Sequence, residues 1–247
     1  MKHNACDLKI RTFERFDGSV WRQYETPEYR ILITGVGRHL LANRTIHRLL
    51  KPYINDYLEH NEAVDSHRIF LAEGGNARLF SLGDEFVIKE SRPDSKSLLF
   101  AAMDRTDRLK DSVEKHCPRW IDIPKHYGAL MSKKDIHKQF MMEQKIDHGV
   151  TVGDVINYGV GKDNRCTAGV LAADSLDKFG GLTPDLIAEV REKYDRLKVL
   201  LAGALLKEGL DTDKYLPDIN HNPYNVVLDR LDTPEAGSWL KFWVIDQ

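Results

Sequence analysis

Two hydrophobic periods divide this chain, and the change from one to the other constrains its fold more than any single motif. Before about residue 147 the apolar residues come in short extended runs: Tyr29-Arg30-Ile31-Leu32-Ile33, Arg68-Ile69-Phe70-Leu71, Ala77-Arg78-Leu79-Phe80-Ser81 and Glu85-Phe86-Val87-Ile88-Lys89. His126 to Met131 and Lys138 to Ile146 continue the pattern, joined at Ser132-Lys133-Lys134-Asp135. Such runs, bounded by turn residues, read as strands. Leu82-Gly83-Asp84 joins two of them as a hairpin turn. After Thr183 the period changes. Leu186, Ile187, Val190, Tyr194, Leu197, Leu200, Leu201 and Leu205 recur at helical spacing and form one wide apolar stripe. Thr183 suits the N-cap, Pro184 the first turn and Gly209 the C-terminal stop. Two more helices are expected. One covers about 40–58 and is interrupted near Pro52; the other covers 94–116, with Asp94 or Ser95 as N-cap and Pro118 as its close. Val226-Val227-Leu228 and Leu240 to Ile245 read as late strands. The expectation is an α+β chain, β-rich first and helical later.

Charge narrows the function. Among 247 residues, 36 basic and 38 acidic side chains leave a net charge of −2. That balance lacks the basic excess of a general nucleic-acid binder, so no nucleic acid is expected as partner. No apolar run reaches the ~20 residues of a membrane span. Cys6, Cys117 and Cys166 are too few and too scattered for a disulfide framework or a structural zinc site. With no apolar core of a signal peptide after Met1, a cytoplasmic setting is expected, including the host cytosol in the case of a secreted effector.

Four features carry chemistry. Gly74 and Gly75, followed by Asn76, lie between two strands, where backbone N–H groups can approach phosphate oxygens. Taken alone, a glycine pair is a turn. Lys89 ends the apolar run Phe86-Val87-Ile88 and can serve as a phosphate ligand; taken alone, a strand lysine faces solvent. Asn220 and Asn225 stand in a Pro-containing polar loop. Asp246 follows Trp243-Val244-Ile245, and a carboxylate with an amide oxygen nearby suits magnesium.

The order of these features resembles the protein-kinase-like superfamily. Ala72-Glu73-Gly74-Gly75-Asn76-Ala77 is similar to the Gly-rich loop, with alanine in place of its first and third glycines. Val87-Ile88-Lys89 resembles the strand that carries the ATP-phosphate lysine. Ile123-Pro124-Lys125-His126-Tyr127-Gly128 is similar to the entry into the next strand. Met141-Met142-Glu143-Gln144 resembles the gatekeeper and hinge, which implies adenine held by the backbone of Met142, Glu143 and Gln144. Asn222-Pro223-Tyr224-Asn225 resembles the end of the catalytic loop, and Val244-Ile245-Asp246 the strand and aspartate of the D-F-G motif. The resemblance covers about residues 68–247. It implies ATP and Mg2+ as cofactors, with Asn225 and Asp246 as metal ligands.

It also implies a two-lobed architecture: an N-terminal extension over 1–67, an N-lobe over 68–147 and a shortened C-lobe over 148–247. The usual base position is Asn220, which cannot take a proton as a carboxylate does; Asp218, two residues earlier, is the alternative base. The helix partner of Lys89 has four candidates: Asp104, Asp107, Asp111 and Glu114. The expected activity is phosphoryl transfer from ATP. The expected partner is a protein substrate, accepting on Ser or Thr, with a small-molecule hydroxyl as the other acceptor. Two readings compete. A pseudokinase scaffold would bind nucleotide or a partner without transfer. An unrelated α+β binding module would hold Lys89 and Asp246 far apart.

Overall fold

The computed structural model describes residues 9–14, 20–25, 27, 29–34, 37, 68–73, 77–82, 86–92, 99–135, 137–146, 150–157, 179–216, 222–235 and 237–245. The expected helix at 40–58 and the expected caps Asp94 and Ser95 lie outside them. The described chain is α+β and divides into two compact units. The first comprises residues 1–104 and 125–145, the second residues 105–124 and 146–247.

The first unit is built on one antiparallel sheet. Its strands are β1 (Lys9–Glu14), β2 (Val20–Glu25), β3 (Tyr29–Ile33), β4 (Arg68–Glu73), β5 (Ala77–Leu82), β6 (Phe86–Ser91), β8 (His126–Ser132) and β9 (Gln139–Gln144). They lie in the order β1-β2-β3-β8-β9-β6-β5-β4. β5 and β6 pair antiparallel, with Leu82 opposite Phe86; the expected turn at Leu82-Gly83-Asp84 lies partly outside the described residues. β6 and β9 are interior strands, buried from Phe86 to Glu90 and from Gln139 to Glu143, so they read as near-continuous apolar runs. Register assigns the faces. Leu32 stands opposite Ala129, Ala129 opposite Met141, and Met141 opposite Lys89. One sheet face therefore carries Leu32, Ala129 and Met141 together, and Leu99 and Met103 pack onto them in a single buried cluster. Two further strands lie in the segment that the sequence marked only as an N-terminal extension. β1 and β2 pair from Lys9 opposite Glu25 to Glu14 opposite Val20 and extend the sheet through β3.

The second unit has a smaller sheet, ordered β10-β11-β12-β7. Its strands are β7 (Ile121–Asp122), β10 (Val150–Thr151), β11 (Val226–Glu235) and β12 (Ser238–Val244). The helix expected to close at Pro118 is α1 (Leu99–His116); its Leu109 and Val113 are buried in this unit. A short helix, α2 (Val152–Ile156), starts with a capping box in which Thr151 and Asp154 bond each other's backbone N–H. The long helix is α3 (Pro184–Lys207), and Thr183 caps it by accepting from the Leu186 N–H at 3.1 Å. Gly209 follows with φ +69°, the left-handed conformation that glycine adopts without strain. The stripe of α3 buries Leu186, Val190, Tyr194, Leu197, Leu201 and Leu205 against Val226, Leu228, Leu240, Phe242 and Val244. A last turn of helix, α4 (Thr212–Tyr215), buries Tyr215 in the same core. Among the described residues no helix is long and apolar enough to cross a membrane.

The element order expected from the sequence is therefore present: hairpin, strand with Lys89, helix, two strands, long helix, Asn-bearing loop, final strands. The late strands are longer than expected. β11 runs to Glu235 and turns through Gly237 at φ +80° into β12, which already begins at Ser238.

Candidate functional site

The residues singled out by the sequence fall partly inside and partly outside the described chain. Gly74, Gly75 and Asn76 lie outside it, as do Asp218, Asn220 and Asp246. Lys89, Met142, Glu143, Gln144 and Asn225 lie inside it. The first four belong to the first unit and Asn225 to the second.

Lys89 sits in the middle of the large sheet and is 7% exposed. An ammonium group this deep is costly unless it meets a negative partner. It does: Lys89 Nζ lies 3.0 Å from Glu143 Oε1. The second oxygen of Glu143 faces His126 Nε2 at 3.5 Å. The three side chains come from neighbouring strands β6, β9 and β8. Their convergence follows from register. Lys89 is opposite Met141, and Glu143, two residues along β9, shares the face of Met141. Such a diagonal pair lies within reach of long side chains. His126 stands directly opposite Glu143 on the other side. Burial pushes the Glu143 carboxyl up, but the Lys89 ammonium and the His126 ring outweigh it and hold the group below its ordinary value of 4.5. Glu143 is thus a buried, ionised carboxylate beside a buried cation.

Glu143 entered the sequence reading as one of three hinge residues offering backbone groups. Its side chain is what the structure brings to Lys89. Met142 lies between Ile88 of β6 and Gly128 of β8, inside the ladder. The Gln144 N–H donates to the Lys125 carbonyl at 2.8 Å, and the Gln144 Oε1 accepts from the Lys125 N–H at 3.4 Å. The four acidic candidates offered by the sequence lie on α1, whereas the carboxylate 3.0 Å from Lys89 Nζ comes from strand β9. Of the helical candidates, Glu114 pairs with Lys110 at 3.1 Å. One signal was available: an acid ending the apolar run Phe140-Met141-Met142 needs a cation as much as Lys89 needs an anion.

In the second unit, Asn225 ends a 3-10 turn, Pro223–Asn225, capped by Asn222, whose Oδ1 accepts from the Tyr224 N–H at 3.1 Å. Asn222 also orients Asn225: its Nδ2 donates to Asn225 Oδ1 at 3.1 Å. An amide oxygen has two lone pairs, so this bond leaves one for another donor or a cation. The turn feeds into β11, which pairs with β12 so that Val226 is opposite Val244. One step further, the Ile245 N–H donates to the Asn225 carbonyl at 3.0 Å. The residue before Asp246 in the chain is therefore bonded to Asn225 itself. The Tyr224 ring, about half exposed, lies on α2, where an added Cβ at Gly153 would come 2.5 Å from Tyr224 Cδ1. The Asn157 Nδ2 donates to the Tyr224 hydroxyl at 3.2 Å. Gly153 and the Asn157 amide thus seat this loop on α2, and Asn222 braces it from within.

Among the described residues no group of three or more His, Cys, Asp or Glu side chains could hold a metal ion. The oxygen set expected from the sequence, an Asn amide and an Asp carboxylate, nonetheless suits a hard cation such as magnesium. The free lone pair on Asn225 Oδ1 fits that use.

No protein-family model matches the chain, and no curated protein matches it. Solved structures do. The GDP and kanamycin complex of APH(2")-IIia is 14% identical over 77% of this chain and 70% of that chain, with a TM-score of 0.30. The streptomycin-ATP-APH(2")-IIa ternary complex is 17% identical over 83% and 70%, with a TM-score of 0.28. The ADP-bound aminoglycoside phosphotransferase APH(2'')-Ib is 18% identical over 79% and 69%, with a TM-score of 0.29.

Proposed function

We propose that this protein is an ATP-dependent phosphotransferase acting on a hydroxyl group. The observation that carries the reading is the open end of the β11–β12 hairpin. Asn225 enters one strand, Asp246 follows the other, and the Ile245 N–H to Asn225 carbonyl bond ties the two ends together. Asn225 is thus bonded across the hairpin to Ile245, the residue that precedes Asp246 in the chain. The buried charge of Lys89 supports the phosphate half of the same reading.

In this reading Lys89 binds the α- and β-phosphates of ATP, and the backbone of Gly74, Gly75 and Asn76 covers them. Asn225 and Asp246 hold magnesium, which supplies charge neutralisation of the phosphates when bound. The acceptor hydroxyl oxygen bonds to the γ-phosphorus as the bond to the β–γ bridging oxygen breaks, and ADP leaves. Asp218 takes the hydroxyl proton, since Asn220 has no basic oxygen for it. Most of the acceleration in such transfers comes from positioning and charge stabilisation, so a displaced base is compatible with turnover. The acceptor is a protein Ser or Thr, or a small-molecule hydroxyl.

Nucleotide binding tests the reading at its base. ATP with magnesium is expected to raise the unfolding midpoint of the intact chain, by linkage worth about 2.7 kcal/mol at a hundred times Kd. Asn225→Ala is expected to keep a shift with ATP alone and lose most of the increment from magnesium. If ATP moves the midpoint in neither condition, the enzyme reading and the nucleotide-binding scaffold both fall.

A further inference from the structure

We propose that Glu143 is the positioning residue for Lys89, and that His126 orients Glu143 in turn, so that the phosphate-binding lysine is set by the sheet itself. The inference rests on the phosphotransferase reading and names the group that makes its lysine usable.

Lys89 Nζ is 3.0 Å from one Glu143 oxygen, and His126 Nε2 is 3.5 Å from the other. The side chains are 9%, 5% and 2% exposed respectively, so water competes little for any of them. Their backbones are neighbours in the ladder β8-β9-β6. A long lysine stem has several rotamers, and one buried carboxylate selects among them. Its ammonium has three donors, so a carboxylate oxygen and phosphate oxygens can be met together. A carboxylate delivered by a strand of the same sheet cannot withdraw without breaking interior pairing between Lys89 opposite Met141 and Val87 opposite Glu143. The lysine is therefore held in place whether or not a helix approaches it.

A positioning role and a purely structural role separate kinetically. The intact chain, Lys89→Ala, Glu143→Gln and Glu143→Asp are assayed for transfer from γ-labelled ATP, with KM for ATP and kcat resolved and each variant checked for folding at the assay temperature. Glu143→Gln is expected to lower kcat/KM for ATP by about 10- to 100-fold, the range seen when a residue that orients a ligand group is removed. Glu143→Asp keeps the charge and is expected to recover part of that loss. If Lys89→Ala abolishes transfer while folded Glu143→Gln keeps the kcat and KM of the intact chain, the inference is overturned and the phosphotransferase reading survives. If Lys89→Ala itself transfers at the full rate, the reading fails and this inference with it. Should Glu143→Gln not fold, Glu143→Asp decides: an altered KM for ATP supports positioning, and unchanged kinetics contradict it.

Discussion

Lys89→Met is expected to destabilise the first unit by about 3–5 kcal/mol at neutral pH. The change keeps the apolar stem and removes the charge, so it leaves the Glu143 carboxylate buried without its cation. Breaking one partner of a buried pair costs about that much, whereas replacing both by apolar or neutral groups costs far less. Lys89→Met with Glu143→Gln is therefore expected to recover most of the loss. The pH dependence has a defined sign. In the intact chain Glu143 is held below its ordinary value of 4.5, so its contribution to stability is complete above that pH and is lost as acid protonates it in the folded state. In Lys89→Met the lowering effect of the ammonium is lost, and burial, which raises the carboxyl, is opposed by His126 alone. The penalty should then shrink as the pH falls, because the orphaned group takes a proton. Denaturant midpoints of the intact chain, the single variant and the double variant from pH 7 to pH 4 measure this directly. A single and a double variant of equal stability would contradict the burial of the pair.

Phe242→Ala is expected to cost the second unit about 3–5 kcal/mol, the usual range for truncating a fully buried aromatic ring. Phe242 has no exposed surface. Its ring meets Trp120 edge-on, with centroids 5.4 Å apart and planes at 70°. Its N–H also donates to the Trp120 carbonyl at 2.7 Å, which ties β12 to the segment entering β7. Ala cannot fill the space, so a void is left in the buried cluster that Phe242 shares with the α3 stripe. Trp239→Ala, on the same strand with its ring substantially exposed, is the control and should cost well under half as much. Equal losses at the two positions would mean that the core lies elsewhere.

What could be read in advance follows from where the signal resides. The stripe of α3, its Thr183 cap and its Gly209 stop are local, so the helix was legible to within a residue or two. The strands β3, β5, β6, β8 and β9 were legible because interior strands are apolar runs bounded by turns, and the edge strand β4 because Ile69-Phe70-Leu71 is such a run too. β1 and β2 were not. Lys9-Ile10-Arg11-Thr12-Phe13-Glu14 places charges among apolar residues, and its extended state depends on pairing with Val20–Glu25. The distal part of β11 is polar too and is extended only because β12 folds back on it. The short α2 carried a visible T-x-x-D box at Thr151 and Asp154 that went unread. Lys89 and Asn225 were singled out as residue types in an order, and they fall on β6 and on the turn that enters β11. The partner of Lys89 was not legible, because register between β6 and β9 decides it, and register is a property of the assembled sheet. The same holds for the Ile245 to Asn225 bond, which no spacing in the sequence announces.

The measurement that bears most directly on the account is phosphoryl transfer from γ-labelled ATP with magnesium. It is made on the intact chain, Lys89→Ala and Asp246→Ala, with a mixture of small-molecule alcohols and a protein mixture offered as alternative acceptors. Label transfer or autophosphorylation by the intact chain is the expected result, with loss of at least about a hundredfold in both variants, since each removes a group proposed to meet the transferring phosphates or their metal. Binding of ATP without any transfer, to either acceptor or to the chain itself, would contradict it.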